Sequence, residues 1–172
     1  MTSMSFGDLV RARYSVRAYD ASPVDEGALT RILEAVQLAP TAANRQAFRV
    51  VVIRTAGQEH DLRRIYDREW FVQAPLVLAV CAVPGESWVR AVDGWSAAGV
   101  DPAIAMTHLL LAAAQEGLGT CWVASFDPTA AREVLALPDG VEPWAFTPLG
   151  HPADARPPKA RRPLEELVLD RR

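Results

Sequence analysis

The sequence predicts an α+β fold, with a central β-sheet flanked by helices and one long buried helix. That helix is predicted over residues 101–117, where apolar side chains occur on nearly every face. Two β-branched runs, 48–53 and 76–83, are typical of buried strands. Because helical and strand patterns alternate along the chain, a doubly wound parallel sheet is the competing arrangement.

Composition indicates an ordinary globular protein. Half of the 172 residues are hydrophobic and 23% are charged, and the length predicts one domain over 1–172. The formal net charge of −3 argues against a nucleic-acid partner. Residues 1–8 do not resemble a signal peptide, and no apolar run is expected to approach membrane-spanning length. We therefore expect a cytoplasmic protein without a membrane partner, with Cys81 and Cys121 as buried free thiols.

The N-terminal half is predicted to contain helices before and after a first strand. After a first helix, Asp25 is the predicted N-cap of a second, which Pro40 ends because the residue before proline avoids helical geometry. The apolar positions of that second helix share one face: Ala28, Leu29, Ile32, Leu33 and Val36. The strand over 48–53 and a surface helix over 58–66 follow.

The long helix separates the strand over 76–83 from the last strands. Asp101-Pro102 has the residues of a helix start, an acidic N-cap followed by proline. Gly117 is the expected C-terminal stop of this helix.

The C-terminal part is predicted to add two strands, a short helix and an arm. A strand over 120–124 is followed by a helix from Asp127-Pro128 and a strand over 144–149. Within this last strand, Pro148 indicates a sheet edge or a bulge. Residues 153–172 contain three prolines and are predicted to form an extended arm that docks on another subunit.

Residues 13–19 carry a candidate phosphate site. Arg13 and Arg17 flank the hydroxyl of Ser15, and on an extended segment all three side chains would share one face. A guanidinium group binds phosphate through a rigid fork of donors. The alternative is a solvated surface segment, since exposed arginines are common.

Residues 39–48 form a polar loop that leads directly into the first strand. The amides of Asn44 and Gln46 could pair with the edge of a heterocycle. The alternative is a turn-forming role, since such loops favour Asn. Together with the two arginines, this loop predicts a pocket for a planar ligand that carries a phosphate.

Other catalytic motifs are excluded. The glycines of 117–122 lie between a helix and a strand, the reverse of the dinucleotide-binding order, and the third glycine is missing. His60, His108 and His151 lack metal-ligand spacing, so no metal is expected, and His108 is predicted to be hydrogen-bonded within the buried helix. No Gly-x-Ser-x-Gly elbow is present. An anion pocket without a nucleophile, a metal site or an acid/base pair indicates that a cofactor carries the chemistry.

The chain resembles the nitroreductase family of FMN-dependent oxidoreductases over nearly its whole length. Five stretches carry the resemblance in the family's order: 13–17 (RYSVR), 39–48 (APTAANRQAF), 117–122 (GLGTCW), 149–152 (LGHP) and 159–164 (KARRPL). The resemblance implies an α+β homodimer with exchanged C-terminal arms and FMN at the subunit interface.

The resemblance also implies which residues bind FMN. The first FMN-binding segment would consist of Arg13, Tyr14, Ser15 and Arg17. Lys159 and Arg161 would hold the phosphate together with Arg13. The flavin would be lined, in part from the partner subunit, by Ala42, Asn44 and Gln46. A backbone amide near flavin N5 would come from the stretch beside the ring: Cys121, Trp122, Val123, Ala124 and Ser125.

The implied activity is the reduction of a small electron-poor acceptor, such as a nitroaromatic or a quinone, by NADH or NADPH. The two substrates would bind in turn in a ping-pong scheme that needs no side chain as base. A specialised flavin-dependent oxidase or dehalogenase of the same family and a non-catalytic flavin-binding module are the alternatives.

The chain departs from the family pattern at a few positions. Tyr14 stands where Arg or His is usual, and Ala47-Phe48 replaces the common Pro-Trp. The stretch 84–100 replaces an often longer insertion, so the acceptor stays open. Within it, Trp88 and Trp95 either pack against the long helix or stack on a flat acceptor.

Overall fold

A computed structural model describes residues 4–172 of the chain. Helices and strands alternate over most of its length, as predicted, although two short helices, α4 and α7, were not expected, and α7 lies in the arm predicted to be extended. The elements are α1 (Phe6–Ala12), α2 (Glu26–Gln37), β1 (Phe48–Arg54), α3 (Glu59–Ile65), α4 (Glu69–Gln73), β2 (Leu76–Ala82), α5 (Asp101–Gln115), β3 (Gly119–Thr120), α6 (Pro128–Val134), β4 (Glu142–Gly150) and α7 (Leu164–Leu167).

The four strands form one antiparallel sheet with the order β1-β2-β4-β3. The predicted α+β class is therefore confirmed, and the competing doubly wound parallel sheet is wrong. The order places β1 and β3 at opposite edges, separated by three strand spacings of roughly 4.8 Å each.

Helices cover both faces of the sheet, and the central strands β2 and β4 are therefore buried on both sides. Alternate residues of β2 face opposite layers: Leu78 packs with α2 and α5, whereas Ala79 packs with α3, α4 and α6. The first layer is centred on Met106 and Leu109 of α5, which are 0% exposed. The prediction of a long, buried central helix is confirmed.

The expectation that no apolar run approaches membrane-spanning length is wrong. The helical segment Ala97–Gln115 has 19 residues and a mean hydropathy of 1.4, enough by length and composition to cross a membrane. The cause of this composition lies in the fold, since α5 packs against α2 on one side and the sheet on the other.

The strand predicted over 120–124 is much shorter in the structure, and Pro148 explains why. Val123 exchanges two backbone hydrogen bonds with Phe146, so the next such pair along the ladder would be Cys121 and Pro148. Proline has no N–H, and the N–H of Cys121 instead donates to Oγ1 of Thr147 at 3.1 Å. Because β4 is an interior strand, the irregular ladder, and not an edge position, accommodates this proline.

Candidate functional site

Four cations from opposite ends of the chain line one surface cavity of about 290 Å³. Arg13 and Arg17 follow α1, whereas Lys159 and Arg161 follow β4. The hydroxyl-bearing residue Ser15 lines the same cavity. We call these five residues the cation cluster. The structure thus brings together the side chains that the sequence assigned to a phosphate.

The cationic side chains of the cluster lack ion-pair partners within the described part of the chain, and the nearby carboxylate of Asp154 instead binds the backbone N–H of Arg17. None of its four cations takes part in an ion pair there. Desolvation, followed by the charges of Arg13 and Arg161, lowers the pKa of Lys159. The ammonium group of Lys159 donates to the backbone carbonyl of Val10 at 2.6 Å. Four like charges that form no ion pairs favour an anion in the cavity.

A close backbone contact holds residues 13–17 against β3. Ser15 forms a parallel bridge with Thr120, and the N–H of Val16 donates to the carbonyl of Thr120 at 2.9 Å. A Cβ atom on Gly119 would lie 2.8 Å from Cγ2 of Val16, which is too close for a side chain. Glycine at this position therefore permits the approach that fixes the segment.

Asp154 joins the same segment to the chain that follows β4. The hydroxyl of Tyr14 lies 3.0 Å from both the backbone carbonyl and Oδ1 of Asp154. The backbone N–H of Arg17 donates to Oδ2 at 2.8 Å. Desolvation and the neighbouring carboxylate raise the pKa of Tyr14, so its hydroxyl remains a donor. One carboxylate thereby fixes two residues of the first segment.

The stretch 121–125 runs beside β4 and next to the cation cluster. Cys121 and Val123 are buried, whereas Ala124 and Ser125 are exposed. Trp122 packs edge-to-face on Trp144, with 5.3 Å between ring centroids.

Trp122 also shares a second cavity, of about 400 Å³, with Arg13. The remaining residues that line it belong to α1 and α5: Phe6, Val10, Thr107, Leu110 and Leu111. Arg13 thus borders both this mostly apolar cavity and the polar cavity of the cation cluster.

Neither cysteine has the properties of a nucleophile. Both Cys81 and Cys121 are free and buried, as predicted. Burial raises the pKa of Cys81 to about 11 and also raises the pKa of Cys121, although Arg17 opposes the second shift. His108 is half-buried, with Nδ1 3.0 Å from the carbonyl of Ile104, which confirms the predicted hydrogen bond.

The loop over 41–46 has a strained backbone. Three of its non-glycine residues have positive φ angles: Ala43 (51°), Asn44 (54°) and Gln46 (53°). Hydrogen bonds hold the loop in this form, from the N–H of Gln46 to Oγ1 of Thr41 and from the N–H of Ala42 to Oδ1 of Asp101, both 3.0 Å. The side chains of Asn44 and Gln46 are exposed. Backbone strain of this kind clusters at functional sites.

A single chain does not join the two groups of predicted site residues in one cavity. The 41–46 loop leads into β1 at one sheet edge, whereas residues 13–17 lie beside β3 at the other edge. Gln46 lines a separate cavity of about 340 Å³, between α2 and β1, that contains no member of the cation cluster.

The stretch 84–100 contains a short hairpin with an aromatic pair. Trp88 and Trp95 contact each other edge-to-face, with 6.4 Å between their ring centroids. The guanidinium of Arg90 lies 5.1 Å from the ring centroid of Trp95. The side chain of Trp95 is 43% exposed, and neither tryptophan belongs to the buried clusters around α5. The possibility that both pack against the long helix is therefore not supported.

Three residues of this site were not identified from the sequence. Asp101 was interpreted only as a helix start, and Gly119 only as part of a turn. Asp154 carried no local signal, because its partners Tyr14 and Arg17 lie about 140 positions away. The close contact of Gly119 with Val16 likewise becomes visible only in three dimensions.

Comparisons with known proteins agree on one family. The family model described as "Nitroreductase family" matches residues 10–70 and 62–151. A protein of Thermus thermophilus named NADH dehydrogenase is 33% identical over 91% of this chain and 91% of its own length. A Bacillus subtilis protein named FMN reductase (NAD(P)H) is 29% identical over 89% of this chain and 68% of its own length.

The fold is likewise similar to a solved structure. The crystal structure of a nitroreductase family protein from Clostridium difficile matches with a TM-score of 0.89 and 32% identity. The match covers 96% of this chain and 97% of that protein.

Proposed function

Because the chain belongs to the nitroreductase family, we propose that it is an FMN-dependent oxidoreductase that takes electrons from NADH or NADPH. The name of its Bacillus subtilis relative, FMN reductase (NAD(P)H), supports the same cofactor and donor. The observation that carries the proposal is the cation cluster, which offers a phosphate group four charges that lack acidic partners in the described chain.

The residues of the cation cluster fit the phosphate of FMN. The guanidinium groups of Arg13, Arg17 and Arg161 offer donors in a fixed planar fork, and the ammonium of Lys159 adds a compact charge. The hydroxyl of Ser15 offers one further hydrogen bond. Desolvation, followed by the charges of Arg13 and Arg161, lowers the pKa of Lys159, and a phosphate dianion would offset the charge repulsion.

Bound FMN supplies hydride chemistry, from a reduced nicotinamide to an electron-poor acceptor, that the side chains of the site cannot perform. The chain's own residues bind and orient the cofactor. Arg13, Ser15 and Arg17 hold the phosphate from a segment fixed against β3, and the stretch 121–125 beside them presents backbone groups. Because neither buried cysteine ionises near neutral pH, no thiolate competes with this chemistry.

A homodimer completes this proposal, and exposed apolar surface supports it. The helix α1 buries none of its residues, and Phe6 on it is 71% exposed. Along the arm, Leu164, Leu167 and Leu169 are 61%, 63% and 101% exposed. Contiguous exposed apolar side chains are typical of surfaces that another protein covers. Docking of the end of the arm, beyond the cation cluster, on the partner subunit would cover them, whereas Asp154 and Lys159 keep their contacts with their own chain.

The positions of the two site halves also favour two subunits. The loop that carries Asn44 and Gln46 lies at the β1 edge, and the cation cluster lies at the β3 edge. A compact flavin site that uses both would draw its loop from the second subunit. This arrangement gives the dimer a functional reason, because each site is incomplete in one chain.

We further propose that donor and acceptor use one open face of the site in turn. Alternate binding in one place predicts ping-pong kinetics, with nitroaromatics or quinones as the acceptors. We place the protein in the cytoplasm, where nicotinamide donors are available. The exposed ring of Trp95 offers a flat surface suited to such acceptors.

Cofactor loading followed by reduction tests the function. Purified protein is incubated with FMN, desalted, and its visible absorbance recorded before and after anaerobic addition of NADH or NADPH. We expect one FMN per chain and loss of the flavin absorbance with at least one donor. Protein that retains no FMN would refute the proposal, and retained FMN that neither donor reduces would favour a non-catalytic flavin-binding module.

A further inference from the structure

Asp101 is a buried carboxylate whose own helix does not use it. The residue opens α5 and is 1% exposed, yet the start of α5 has no side-chain cap. Oδ1 accepts the N–H of Ala42 at 3.0 Å, from the loop that precedes β1. Oδ2 is buried without a hydrogen-bond partner among residues 4–172. Burying a carboxylate with one unpaired oxygen costs free energy of folding. We therefore infer that the hydrogen bond to Ala42 serves a purpose other than stabilising α5.

The loop held by this contact could not keep its shape by local preference. Three of its non-glycine residues have φ angles above 50°, a conformation that costs free energy and persists only where the surroundings impose it. Asp101 anchors the loop at Ala42, and Thr41 closes it by accepting the N–H of Gln46. The N-terminus of the 15-residue helix α5 stabilises the negative charge of the anchor.

We propose that Asp101 is a positioning residue that holds the 41–46 loop in the strained conformation that presents Asn44 and Gln46 to the flavin. The inference rests on the proposed function, since it assigns the loop a role in holding FMN. In this proposal Asp101 acts on the cofactor only through the loop, by its hydrogen bond to Ala42. Its side chain therefore links the start of the central helix to the half of the site that lies away from the cation cluster.

Substitutions at Asp101 test the proposal. Asp101→Ala removes the acceptor, whereas Asp101→Asn keeps an oxygen in the same place. We expect Asp101→Ala to speed amide hydrogen exchange of residues 42–46 and to weaken FMN binding, each by about tenfold, the smallest effect typical of losing a hydrogen bond to a charged acceptor. Asp101→Asn should restore most of both. The visible circular dichroism of bound FMN should change in the Ala variant, because the flavin surroundings change.

A core substitution on the same helix provides the matched control. Met106 is 0% exposed and packs in the layer around α5. Its thioether side chain makes no hydrogen bond to the 41–46 loop in the described residues. Met106→Ala should lower the melting temperature but leave exchange at 42–46 and the flavin circular dichroism as in the wild type. If Met106→Ala changed the hydrogen exchange of residues 42–46 and the flavin circular dichroism as Asp101→Ala does, the role of Asp101 would be purely structural. That result would overturn the inference.

If Asp101→Ala does not fold, Thr41 offers a second route to the same loop. Thr41→Val removes the acceptor for the N–H of Gln46, and Thr41→Ser retains it. Thr41→Val should loosen the loop and weaken FMN binding, and Thr41→Ser should not. Faster exchange with unchanged FMN affinity would overturn the inference while leaving the proposed function intact. Wild-type protein that binds no FMN would instead remove the proposed function itself.

Discussion

The hydroxyl of Tyr14 lies 3.0 Å from both the backbone carbonyl and Oδ1 of Asp154, although the two residues are 140 positions apart. The contact joins the segment that carries Arg13 and Arg17 to the segment that carries Lys159 and Arg161. It therefore brings the two pairs of cations to one cavity. In the sequence, Tyr14 departs from the family pattern, in which Arg or His is usual. In the structure, this tyrosine has a specific hydrogen-bond partner, Asp154.

Tyr14→Phe should weaken FMN binding about fivefold, because it removes the hydroxyl but keeps the ring. The estimate corresponds to a net hydrogen bond of about 1 kcal/mol. Fluorescence quenching on titration of apoprotein with FMN measures the change. Tyr66→Phe is the matched control, since it also removes a hydroxyl from an aromatic ring but leaves the contact between residue 14 and Asp154 unchanged. Equal effects of the two substitutions would argue against a role for the Asp154 contact.

Gly119→Ala should weaken FMN binding about tenfold, because the new methyl group would displace Val16 and with it the phosphate-binding segment. Overpacking of this kind costs about 1–3 kcal/mol. Adding Val16→Ala should recover part of the lost affinity, since it makes room for the methyl group. Gly85→Ala is the control, because a Cβ at Gly85 meets nothing within 4 Å. Failure of the double variant to recover any affinity would contradict the steric explanation.

FMN binding should weaken as the pH rises toward the alkaline range, with an inflection below the ordinary lysine pKa. The pKa of Lys159 is lowered in the free protein, and a bound phosphate would raise it again. Binding above the free-state pKa is therefore coupled to proton uptake and becomes less favourable with increasing pH. Lys159→Arg, which stays charged, should remove the inflection in a series of FMN titrations. An unchanged inflection in that variant would assign the titration to another group.

Charged substitutions of the arm leucines should disrupt the dimer. Leu164→Glu with Leu167→Glu alters side chains that are more than 60% exposed in one chain, so the folded subunit itself should lose little stability. Sedimentation should show a shift to monomer and a lower FMN content. Val92→Glu, at a residue 87% exposed on the hairpin, should change neither. A stable, FMN-loaded monomer would contradict the shared site.

Much of the fold was predictable because local patterns and tertiary packing agree. The long helix was recognised from apolar side chains on nearly every face, and it is indeed covered by α2 and by the sheet. The strand over 120–124 was overpredicted because its partner across the ladder, Pro148, lies far away in sequence. The direction of the strands was equally hidden, since alternation alone allows both parallel and antiparallel sheets.

The candidate site was predictable only in its charged residues. Arg13, Arg17, Lys159 and Arg161 stand out by type and by resemblance, and the structure places them around one cavity. The residues that hold the site in shape, Asp101 among them, make contacts over long sequence separations. No local spacing reports such contacts, so sequence patterns alone did not reveal them.

The central claim is that the cation cluster binds the phosphate of FMN, and a comparison of FMN with riboflavin tests it most directly. Riboflavin carries the same ring system without the phosphate. A charge-assisted hydrogen bond contributes roughly 1.5–3 kcal/mol, and riboflavin would lack at least two of them, so FMN should bind wild-type apoprotein at least about a hundredfold more tightly than riboflavin. Arg13→Ala should reduce that ratio about ten- to a hundredfold while changing riboflavin affinity little. Equal affinities of wild-type protein for the two compounds would contradict the account.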